Sequence, residues 1–187
     1  MRKETKRPGW ISGVALGLLL VASLFLEIHA QKKDETPNQK QEEEQLREAR
    51  SALAKSAVGS MFFDTISVNE PEWELDKAGY IGRGLHNHFT YFDILLKKGN
   101  RFLAVSITEH DSPEDADEQF DTSRLSQGTS VPLNVYGDKS DKLIGNGGLM
   151  GIRFRKGKIF VQVFTRERKT AERFAEYALK SVSDMPD

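Results

Sequence analysis

Two stretches of the chain, 58 residues apart, follow one pattern, and that pattern limits the fold more than any other feature of the sequence. Ile94 to Val105 (ILLKKGNRFLAV) and Ile152 to Val163 (IRFRKGKIFVQV) each read as strand, basic turn with glycine, strand. A helix signal follows each. Ser112-Pro113-Glu114-Asp115 supplies an N-cap, a proline at the first helical position and two first-turn acids. Ala171, Phe174, Ala175, Ala178, Leu179 and Val182 form an apolar stripe at helical spacing. The sequence therefore predicts an α+β domain whose antiparallel β-sheet is built from two ββα pseudo-repeats, about 85–126 and about 149–183.

Core matching gives expected registers. A two-residue Lys98-Gly99 loop sets Ile94 opposite Leu103, Phe92 opposite Val105 and Thr90 opposite Ile107. The same rule sets Phe154 opposite Ile159, Ile152 opposite Val161 and Met150 opposite Val163. Phe102 and Phe160 then share the other face, which needs a cover of its own. An additional N-terminal amphipathic helix over 42–58 is the expected cover, with Leu46, Ala49, Leu53 and Ala57 at 3–4 spacing, acids at 42–44 and bases at Arg47, Arg50 and Lys55. Gly59 reads as its stop, and Met61 to Val68 as a strand or extended entry. Gly79 to Gly84 (GYIGRG) reads as a bulged or closely approached strand, and Gly145 to Gly148 as a turn without the Lys-Ser/Thr of a phosphate loop.

The N-terminus carries a different signal. Arg2, Lys3, Lys6 and Arg7 precede 17 uncharged residues, Trp10 to Leu26. A basic start followed by such a run is an export signal, and 17 lies between the roughly 7–15 residues of a cleaved signal and the roughly 20 of a spanning helix. Residues 1–30 are thus a signal peptide, cleaved after Ala30, or an N-terminal membrane anchor. Residues 31–41 (QKKDETPNQKQ) offer no apolar side chain larger than the Pro37 ring and read as a flexible polar tether, leaving 42–187 as a single domain. Either outcome implies a periplasmic or extracellular location, with the membrane as a partner if the segment is retained.

Charge narrows the partners. The chain holds 27 Lys and Arg against 28 Asp and Glu, which argues against nucleic-acid binding, and it has no cysteine, which excludes disulfides and thiolate chemistry. Within it, Glu109 to Asp121 holds seven acids and no Lys or Arg, while Arg153 to Arg173 holds eight bases and two acids. Facing solvated elements, head-to-tail association of the two poles, or an anionic envelope ligand on Arg153, Arg155, Lys156, Lys158, Arg166, Arg168 and Lys169 would each account for that split.

His86 and His88 alternate on an expected strand and so share a face. In the expected register His88 meets Glu109 and His86 meets Asp111, and a one-residue slip brings His110 opposite His86. Two imidazoles with Glu109 or His110 would be the start of a metal site, although no spacing-specific motif supports it. No GxSxG or SxxK pattern, EF-hand loop or cofactor motif is present. The expectation is an exported or tethered non-enzymatic binding domain without a cofactor. A metal-dependent hydrolase at the histidines and a charge-driven oligomerisation module are the alternatives.

Overall fold

The computed structural model describes residues 39–84, 88–123 and 128–185. The expected export segment, most of the tether and His86 lie outside them. The described residues form an α+β domain with one antiparallel sheet in the order β1-β2-β3-β7-β6-β5-β4. The strands are β1 (Glu74–Ile81), β2 (Phe89–Lys98), β3 (Arg101–His110), β4 (Gly128–Pro132), β5 (Lys139–Gly145), β6 (Met150–Lys156) and β7 (Ile159–Thr165). The helices are α1 (Gln39–Lys55), α2 (Ala57–Asn69), α3 (Pro113–Thr122) and α4 (Arg168–Ser183), with a short 3-10 turn at Asn146–Gly148.

Both hairpins form, two residues out of the expected register. Lys98 pairs with Arg101 and Lys156 with Ile159, so the loops are Gly99-Asn100 and Gly157-Lys158. Gly99 and Gly157 each take φ +55, so the left-handed residue opens each turn, and a lysine there would be strained. A slip of two leaves every side chain on its expected face, because strand alternation has a period of two. Phe92 now meets Ile107, Ile94 meets Val105, and Phe154 meets Val161.

Val105 and Val163, which are equivalent in the two hairpins, pair directly where β3 meets β7. The helices that follow do not repeat one packing. Phe174, Ala175 and Ala178 of α4 join the core face made by Ile94, Leu96, Leu103, Val105, Ile107, Ile152, Phe154, Val161 and Val163. Phe120 of α3 instead meets Phe160 edge-on at 6.0 Å on the opposite face. The cover expected of the N-terminal helix is thus supplied by α3, at least over Phe160.

The N-terminal region departs from expectation in a second way. Two helices replace one helix and a strand, and the break is Ser56, whose hydroxyl accepts from Gly59 N–H at 3.0 Å and caps α2. Gly59 is a packing position rather than a stop, since a Cβ there would lie 2.7 Å from the Phe92 ring. Phe62 and Ile66 of α2 are fully buried in the α4 face, and Leu53 of α1 joins them. Burying each of these large side chains stabilises by roughly 1.5–3 kcal/mol. α1 lies along β1, the strand at one edge of the sheet, where a bulge falls between Leu75 and Lys77. Among the described residues no helix is long and apolar enough to cross a membrane.

Candidate functional site

The α3 face of the sheet carries Arg153, Arg155 and His110 of the side chains the sequence singles out. Arg153 is the centre. It is 2% exposed, and its guanidinium donates to the carbonyls of Phe120 and Ser123 at 2.7 Å each and to Asp141 Oδ2 at 2.6 Å. The Phe120 ring stacks on it at 4.3 Å. Phe120 and Ser123 are the end of α3, where helix carbonyls lack intrahelical donors, so Arg153 satisfies that end from the sheet. Burial alone would raise the Asp141 carboxyl, but hydrogen bonds from Ser130 and Arg153, with the Arg153 charge, hold it below the usual carboxylate range. Arg153 is therefore a structural clamp and presents no surface to an anion.

The other bases of the expected anion patch mostly have partners within the chain. Arg155 meets Asp117 and Asp138 at 3.2 Å each, Lys156 meets Asp138 at 3.5 Å, and Lys158 meets Glu109 at 2.9 Å. Lys139 adds Asp117 and Asp121, at 3.3 and 2.7 Å. Arg166 lies over the Phe102 ring, and Arg168 pairs with Glu172 one turn on. Lys169 is exposed. The acidic and basic stretches thus meet across α3, β5 and β6 of one chain. Exposed pairs of this kind each contribute about 0–1 kcal/mol, so they orient the helix more than they hold it.

The expected metal set is not assembled by the described residues. Strand alternation sends Glu109 and His110 to opposite faces. Glu109 lies by Arg83 and Lys158, and His110 Nε2 lies 2.6 Å from Gln119 Oε1 of α3. In the observed register Glu109 faces Thr90, and His88 lies 3.8 Å from Asp111 instead. Among the described residues no group of three His, Cys, Asp or Glu side chains could hold a metal ion.

Two features had no counterpart in the sequence reading. The first is a polar row across the α3 face, Asp93-Ser106-Gln162-Arg153-Asp141, one residue from each of β2, β3, β7, β6 and β5. Its Arg153 end is tightly bonded. At the other end Ser106 reaches Gln162 only at 3.5 Å, and the buried Tyr91 hydroxyl makes no well-formed hydrogen bond among the described residues. Burial pushes the Asp93 carboxyl up to about 6. Its signal in the sequence is a lone acid inside an apolar strand, FTYFDILL.

The second is the margin of the sheet at β4 and β5. Leu133 N–H bonds to Ser140 O at 2.9 Å, so alternation turns the N–H and C=O of Leu133, Val131 and Thr129 inward to β5. Gly128, Ser130 and Pro132 turn theirs away from β5. Val131, Val135 and Ile144 are 43%, 67% and 40% exposed, three of the four exposed large apolar side chains among the described residues.

Comparison with known protein families, with curated proteins and with solved structures finds no match to this chain.

Proposed function

We propose that this chain is an exported, membrane-tethered or released, non-enzymatic binding module of the cell envelope that takes a protein partner on its β4–β5 margin. The observation that carries the reading is the concentration of exposed apolar side chains, Val131, Val135 and Ile144, beside an edge strand with no charged residue. Natural sheets blunt their edges with charge, bulges or cover. The opposite edge has all three: Glu74, Asp76 and Lys77, the bulge before Lys77, and α1 alongside. At β4 the blunting is limited to its five-residue length and to Pro132, whose missing N–H falls on the outward side.

An uncharged, extended segment of a partner fits this margin. Main-chain groups of Gly128 and Ser130 would pair with it, and its apolar side chains would cover Val131 and Ile144 on the core face of the sheet. Export is supported by Arg2 to Arg7 and the run Trp10 to Leu26.

The test has two arms. Fractionation with intact-mass analysis of the expressed full chain should give either membrane-bound full-length protein or an exported product beginning at Gln31; full-length soluble protein in the cytoplasm would end the export reading. Val131→Lys with Ile144→Lys should abolish partner binding and leave the urea midpoint unchanged. Retained binding by that variant would end the docking reading.

A further inference from the structure

Every side chain of β4 is exposed, which holds for no other strand of the sheet. A strand that buries nothing is held by its ladder to β5 alone, and its free side is a template for a second ladder. That side presents the N–H groups of Gly128 and Ser130 and the carbonyls of Gly128, Ser130 and Pro132. It is its own complement. Two copies of β4 laid antiparallel over their full length put Ser130 on Ser130 and Gly128 on Pro132. The two serines then exchange both of their main-chain bonds, and each Gly128 N–H reaches a Pro132 carbonyl, so no outward N–H is left over. Pro132, which has no N–H, falls opposite Gly128 and leaves only the Gly128 carbonyl unpaired.

The side chains agree with that register. On the core face Val131 meets the partner's Thr129, a pair of β-branched residues, and Ile144 lies beside Thr129 on the inner side. The exposed Val131 and Ile144 of both copies thus fall in one apolar strip. β4 brings no charge to the contact, and Lys142 of β5 stands at least roughly 14 Å from its copy, three strand spacings away. The opposite edge of the sheet is closed to the same pairing, since β1 carries Glu74, Asp76 and Lys77 and has α1 alongside. Association through β4 therefore ends at two copies and does not run on head to tail.

We propose that the partner received at this margin is a second copy of the chain, joined β4 to β4 about a two-fold axis at Ser130 into one continuous sheet. The inference rests on the docking reading above and names its occupant: the margin calls for an uncharged, extended segment, and β4 is one.

The chain has no cysteine, so a single introduced one reports the register. In the two-fold pairing the Ser130 Cα atoms lie about 5.5 Å apart, within the span of a disulfide. The full chain with Ser130→Cys, purified in detergent and oxidised in air, should form a covalent dimer, while Lys142→Cys and Val68→Cys stay monomeric. Light scattering of the unaltered chain should show a dimer that grows with concentration, is insensitive to salt, and is lost in Val131→Lys with Ile144→Lys. A Ser130→Cys protein that crosslinks no better than Val68→Cys would overturn the proposal. So would a dimer that salt dissolves, which would belong to the charged poles instead. If Ser130→Cys fails to fold, scattering decides alone, and a monomer up to about 1 mM, the weak end of the association scale, overturns the proposal. A monomeric chain whose margin still crosslinks to a different protein would end this inference and leave the docking reading standing; a chain that does neither would end both.

Discussion

Arg153→Ala is the substitution that this structure makes most costly. Arg153 is almost wholly buried, and its removal does three things at once. It leaves Asp141, then bonded among the described residues only by Ser130 Oγ at 2.6 Å, as a largely buried charge without its main partner. It frees the carbonyls of Phe120 and Ser123 at the end of α3. It opens a void beneath the Phe120 ring. Removing one partner of a buried ion pair costs about 3–5 kcal/mol, and an unsatisfied buried carbonyl about 1–3 more where water cannot reach it. The expected loss is about 4 kcal/mol, from a total that for domains of this kind is about 5–15. Asp141→Asn should cost less, about 2 kcal/mol, because the Ser130 and main-chain bonds survive. Arg153→Met with Asp141→Leu should recover much of the loss, since no charge is then stranded. Urea unfolding followed by far-ultraviolet circular dichroism gives all three values and the coupling between the sites. An Arg153→Ala protein within about 1 kcal/mol of the parent at equal denaturant slope would refute the clamp.

Further expectations follow from the same geometry. Gly137→Ala should destabilise by more than about 2 kcal/mol, because φ there is +59 and a Cβ would sit 2.3 Å from the Arg155 carbonyl oxygen; thermal unfolding measures it. In Asp138, burial is outweighed by bonds from Gly157 and the charges of Lys156 and Arg155, so its carboxyl, like that of Asp141, lies below the usual range. Their contribution is present above the unfolded value of about 4 and is lost as pH falls through their folded values. An acid titration of stability should therefore steepen below pH 4 and flatten in Asp138→Asn. Gly59→Ala should lower stability despite the better helix propensity of alanine, since the Phe92 ring fills the Cβ position, and relief by Phe92→Leu in the double variant checks the cause.

The hairpins were legible because their apolar residues alternate around a glycine turn, and a two-residue register error leaves alternation intact. The turn itself was misread because position within a two-residue loop depends on which residue takes positive φ, and Gly99 takes it first. β7 is buried along its whole length, so period-two polarity is weak there and only its resemblance to β3 identified it. β4 and β5 were invisible for the opposite reason. Their residues are short-run, polar or exposed, and only pairing to β6 makes them strands. The Ser56 cap was missed because Gly59 looked like an ending, when it is a site of contact with Phe92. Charge segregation was visible, but which acid meets which base depends on α3 folding back over β6. Arg153 could not be told from an exposed arginine without that topology.

The proposed role of the β4–β5 margin is to receive a protein partner outside the cytoplasm. Its most direct test is photo-crosslinking in intact cells from single positions on the full chain, with Val131, Val135 and Ile144 as margin sites and Val68, 80% exposed on α2, as the internal control. One common crosslinked protein is expected from the three margin positions and none from Val68. Equal crosslinking at Val68, or none at Val131 and Ile144 in correctly folded protein, would contradict it.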